Sequence, residues 1–139
     1  MVLLVGGISL GTMPAEPVFI PSREADFLVE IAKKVEPNDV VLASYDGGNL
    51  LPAWAPVRVL IGHGPESIDL ESLQPQIKKF YTTGTENDWR RQFLREKGIL
   101  YVVIGPREQL LGKWQPDLEA FLSQEIENGE YFLYKVVTE

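Results

Sequence analysis

Two rhythms alternate along this chain: apolar residues spaced three and four apart, and short unbroken apolar runs. Phe27, Leu28, Ile31, Ala32 and Val35 follow the first rhythm, Ser22 suits the cap before them, and Pro37 stops the pattern, which predicts a helix over 23–35. The runs 39–44 (DVVLAS), 57–62 (VRVLIG) and 99–105 (ILYVVIG) are rich in β-branched residues and bounded by turn formers, as strands buried on both faces are. Between the second and third, 69–81 and 86–97 are amphipathic. Trp89, Phe93 and Leu94 share a face, Thr85 can cap, and Gly98 stands where a helix end favours a left-handed residue. Gln115, with Pro116 in the first helical position, opens a further expected helix through Leu118, Phe121, Leu122 and Ile126 that closes near Gly129. Residues 130–137 (EYFLYKVV) read as a final strand.

Helices alternating with buried strands give a sheet covered on both faces. The expected fold is therefore a three-layer αβα Rossmann-like sandwich, with a mostly parallel sheet of about four to five strands and room for one antiparallel edge strand. At 139 residues, with 45% apolar and 24% charged positions, the chain has the size and make-up of one ordinary globular domain, expected over 22–139. Ahead of it, 12–21 (TMPAEPVFIP) carries three prolines and reads as an extended connector. Residues 1–10 (MVLLVGGISL) are apolar but cover only about half of the ~20 positions that a membrane-spanning helix needs. The first basic residue, Arg23, comes too late for a signal peptide. The segment reads either as a buried strand or ordered arm, or as the end of a transmembrane helix.

Charge narrows the partners. A net charge of -7 with scattered Lys and Arg excludes a nucleic-acid surface and disfavours anionic lipid headgroups. With no cysteine there is no disulfide, thiolate metal site or thiol nucleophile.

Ligands of open α/β sheets sit beyond the carboxyl ends of the strands, where loops and helix N-termini converge. Three loops follow the first three strands: 45–49 (YDGGN), 63–66 (HGPE) and 106–108 (PRE). If the strands are parallel, Asp46, Asn49, His63, Glu66, Arg107 and Glu108 share one edge, a set suited to a sugar, a small anion or a metal ion, although no spacing among them is specific for a metal. Trp54, expected in a loop beside that edge, offers a flat surface for a sugar ring. The blander reading is also open: Asp, Gly and Asn are ordinary turn residues, and Arg107 with Glu108 can be a solvated pair. His63 is the only histidine, hence the candidate for proton transfer, oriented by Asp46 or Glu66. No nucleophile elbow, zinc-helix motif, P-loop or dinucleotide fingerprint is present. No catalytic residue, metal site or cofactor is expected.

The stretch VVLASYDGGNLLPAWAPVRVLIGHGPES, the run LREKGI, the strand LYVVIGPRE and the closing YFLYKV together resemble the C-terminal domain of large bacterial multi-spanning membrane proteins. Those proteins are similar to GT-C-type, mannosyltransferase-like glycosyltransferases that use lipid-linked sugar donors. The tandem glycines of YDGGN depart from the family's tighter turn. The resemblance implies a non-catalytic domain on the outer face of the bacterial cytoplasmic membrane, with catalysis in the membrane part of the same parent chain. Its partners would be that transmembrane part and a glycan or lipid-linked sugar. Two alternatives stay open: a free-standing sugar- or anion-binding module, and a small hydrolase using His63.

Overall fold

The computed structural model describes residues 21–61, 70–116 and 120–138. Along the chain run α1 (Ser22–Lys34), β1 (Val40–Leu42), α2 (Tyr45–Trp54), β2 (Arg58–Val59), α3 (Leu70–Phe80), α4 (Asn87–Lys97), β3 (Tyr101–Ile104), α5 (Pro106–Gly112), β4 (Leu122–Asn128) and β5 (Tyr131–Val136). The apolar arm 1–10 and connector 12–20 lie outside the described residues. Among those residues, no helix is long and apolar enough to cross a membrane.

The sheet is mixed, not mostly parallel, which corrects the Rossmann-like expectation. Its order is β2-β1-β3-β5-β4. β1 pairs in parallel with β2 and β3, whereas β5 runs antiparallel to both β3 and β4. The antiparallel strand is thus an interior one. The physical reason lies in residues 115–129, read above as a helix. Residues 122–128 of that stretch form β4, joined to β5 by a tight turn in which Gly129 takes φ 63. A short hairpin can only return antiparallel, so β5 docks beside β3 and carries β4 outward.

Helices cover both faces. Val41, Tyr101, Val103 and Leu133 point to one side, where Phe27, Leu28 and Ile31 of α1 and Leu51 of α2 bury them. Leu42, Val102, Ile104 and Tyr134 point to the other, against Leu73, Ile77 and Phe80 of α3 and Phe93 and Leu94 of α4. This alternation is the period of two that a strand imposes.

Several local expectations also change. Residues 45–49 and 106–108 are helical first turns, not loops. Pro21, not Ser22, occupies the cap of α1. Thr85 does not cap α4; its hydroxyl donates to Lys79 O at 2.6 Å. Gly98 does end α4 in the left-handed conformation, at φ 65.

Candidate functional site

The carboxyl ends of β1 and β3 lie side by side, and the chain leaves each of them directly into a helix. Ser44 caps α2, its hydroxyl accepting from Gly47 N at 3.2 Å. Gly105 stands at the cap of α5, with Pro106 in the first position and Glu108 in the third. A glutamate there can reach back to the cap's own N–H, as in a capping box. Glu108 does so and goes further: its Oε1 accepts from Ser44 N at 2.9 Å, which ties the start of α2 to the start of α5.

Glu108 is 3% exposed. Burial raises its carboxyl above the ordinary range, while hydrogen bonds from the Ser44 N–H and hydroxyl, and from the Glu108 and Gly105 N–H groups, hold it back. Glycine makes room for it. A Cβ on Gly47 would sit 2.9 Å from Glu108 Oε1, and one on Gly105 would sit 3.2 Å from Oε2 and 3.0 Å from the Tyr131 ring. On the opposite face the Tyr81 hydroxyl bridges the same two strands, donating to Val103 O at 2.9 Å and lying 3.3 Å from Leu42 O. Burial, and after it the Glu108 charge, pushes that hydroxyl well above its usual range.

Arg107 turns away from Glu108 and pairs with Glu24 of α1, Nε to Oε1 at 3.1 Å and Nη2 to Oε2 at 3.4 Å. This replaces the solvated Arg107 and Glu108 pair read from their adjacency. Between Glu24, Phe27, Gly47, Arg107, Glu108 and Tyr131 only about 20 Å³ is left empty, space for roughly a single water. The crevice where such sheets commonly hold a ligand is therefore filled by the protein's own carboxylate.

Of the candidate residues, the structure brings Asp46, Asn49, Arg107 and Glu108 to this edge. Asp46 is exposed in the first turn of α2, and Asn49 is half-buried and engaged in contacts. Trp54 does not belong there. It ends α2, and since Arg58 just beyond it pairs with Val40 at the start of β1, Trp54 lies at the opposite, amino end of the sheet. His63 and Glu66 lie outside the described residues. Among the described residues, no group of His, Asp and Glu could hold a metal ion. A second hollow of about 550 Å³ opens between the start of α2 and α3, lined by Tyr45, Ile61, Pro75, Ile77 and Leu111 and flanked by Glu71 and Lys78.

Ser44, Gly47, Glu24 and Tyr81 were not among the candidates. The signal for the edge was present in Gly105-Pro106-Arg107-Glu108, a proline in the first helical position and an acid in the third. Nothing local in the sequence pairs Glu24 with Arg107 across 83 positions.

Fold and edge together define a small α/β domain with a mixed five-stranded sheet whose crevice between β1 and β3 is filled by Glu108. No protein-family model matches the chain, and no curated protein matches it in sequence. Among solved structures, it is similar to the C-terminal globular domain of an oligosaccharyltransferase from Archaeoglobus fulgidus, with a TM-score of 0.63 at 12% identity over 86% of this chain and 99% of that one. At that identity the likeness is one of fold.

Proposed function

We propose that this chain is the non-catalytic C-terminal domain of a membrane glycosyltransferase-like protein of the GT-C type. It sits on the outer face of a bacterial cytoplasmic membrane and helps bind or orient the glycan acceptor or the lipid-linked donor beside the transmembrane part of its own parent chain. The observation that carries this reading is the fold likeness, which takes in 99% of a domain belonging to an oligosaccharyltransferase. Two further features support it. The resemblance in sequence over 39–67, 94–108 and 131–136 points to the same broad class. The crevice between β1 and β3 holds Glu108, which suits a docking domain better than an enzyme.

Geometry adds an orientation to this reading. The first turn of α1 is tied to the carboxyl edge by the Glu24 and Arg107 pair, so a membrane segment preceding residue 21 would leave from that edge. Asp46, Asn49 and the hollow beside Tyr45 would then face the membrane side. The test is to delete residues 22–139 from the parent protein and assay glycan transfer. A loss of about tenfold or more is expected, and undiminished transfer would overturn the reading. The coding sequence upstream of Met1 should also contain several apolar segments of ~20 residues; a native start at Met1 would overturn it too.

The hollow of about 550 Å³ favours one second reading, a free-standing module for a small sugar or anion. His63 and Glu66 are proposed as contributors, and His63→Ala should then weaken binding of monosaccharides screened by calorimetry.

A further inference from the structure

The amino end of the sheet carries a different cleft, of about 330 Å³, between α4 and the ends of β3 and β5. Its size falls at the lower end of small-molecule sites, about 300–1,000 Å³. The floor is apolar core surface from Leu94, Ile99, Phe121 and Val136. At its mouth Leu100 and Val137 are 40% and 45% exposed, which extends the apolar surface out to the rim.

Two arginines stand over this floor, Arg91 and Arg95, one helical turn apart on the same face of α4. The Arg91 guanidinium lies over the Phe121 ring at 5.2 Å. Among the described residues neither forms an ion pair, although acids outnumber bases along the chain by twenty to thirteen. Two forked cations with no ion-pair partner among the described residues, beside an exposed apolar cleft, complement a ligand that is apolar at one end and anionic at the other.

We propose that this cleft binds a single-chain anionic amphiphile, its apolar body on Leu94, Ile99, Phe121 and Val136 and its acid head between Arg91 and Arg95. The ligand is a dissolved monomer and not a bilayer surface. The site is a concavity, and a chain of net charge -7 is repelled by an anionic membrane. The assignment stands apart from the glycosyltransferase reading, because the cleft lies at the opposite end of the sheet from the Glu108 edge.

Titrating the isotope-labelled chain with decyl phosphate below its critical micelle concentration tests the site. Saturable shifts are expected at the amides of Gly98, Leu100 and Val137, with Gly47 at the far edge unmoved. Decanol and inorganic phosphate should each bind about tenfold more weakly, since each lacks one of the two contacts. Arg95→Gln, which removes a guanidinium that has no ion pair among the described residues, should leave the spectrum folded and weaken decyl phosphate about tenfold, as should Arg91→Gln. The proposal is overturned if decyl phosphate moves none of these amides, if shifts spread over the whole spectrum, if decanol binds as tightly, or if Arg95→Gln binds unchanged.

Discussion

A carboxylate buried between two helix starts determines how its neighbours can vary. Glu108 accepts from the Ser44 N–H and draws on the positive ends of α2 and α5, so Glu108→Ala strands buried donors and should cost about 1–3 kcal/mol, read by chemical denaturation. Glu108→Gln separates charge from shape. The carboxyl is raised in the folded protein, mainly by burial, so the folded state holds its proton more tightly than the unfolded state does. Its contribution is fully present below the unfolded value of about 4.3 and is lost as pH rises through the higher folded value. The stability of the native protein relative to Glu108→Gln should therefore be greatest near about pH 4 and decline toward neutrality. A flat difference across that window would refute the burial argument. Gly47→Ala offers a sign test. In a helix alanine is favoured over glycine by ~1 kcal/mol, yet here its Cβ would press on Oε1 at 2.9 Å. The substitution should destabilise by about 1–3 kcal/mol in the native background and become neutral or stabilising beside Glu108→Ala, as thermal melts of the four proteins would reveal.

At the scale of elements, the α3 to α4 connection depends on a buried cation that charge counting along the sequence does not flag. Arg90 is 1% exposed, and its guanidinium donates to Phe80 O, Thr82 O, Thr85 O and Asn87 Oδ1 while lying 4.1 Å from the Trp114 ring. Carbonyls at the end of α3 thus supply the negative partner. Lysine cannot reproduce this fork, so Arg90→Lys should cost about 3 kcal/mol or more and speed hydrogen exchange over 80–87 before the rest of the domain. α1, α3 and α4 were legible because each obeys one clear helical period, and the parallel strands because each is a short unbroken apolar run between punctuating residues. α2 was not, since Tyr45-Asp46-Gly47-Gly48-Asn49 has turn chemistry, and it is Ser44 and the buried Glu108 that make it a helix start. β4 was misread for a subtler reason. Leu122 and Ile126 sit four apart, as on a helix face, but a register shift between Gln124 and Ile126 sends them to opposite faces of the sheet, Leu122 to the α3 and α4 side and Ile126 to the α1 side.

For the whole molecule, the hairpin contributes to both cores. Strands β2, β1 and β3 form the parallel half of the sheet. In the structure β5 is an interior strand between β3 and β4, with Leu133 fully buried on one face and Tyr134 buried on the other, so both cores are closed by residues that come last in the chain. Strand β3 keeps one neighbour, β1, if β5 is removed, and its other edge would expose Tyr101 to Ile104, an apolar run with unpaired backbone groups. A chain ending at Pro116 should therefore give no cooperative thermal transition and should aggregate, whereas Leu133→Ala should still fold but lose about 2–5 kcal/mol. Circular dichroism and calorimetry on the two proteins would check this. A sharp transition from the shortened chain would mean that the parallel half is autonomous and the hairpin merely appended. Its loss would mean that β5, a strand legible in the sequence but not in its interior antiparallel place, is the one that unites the two cores.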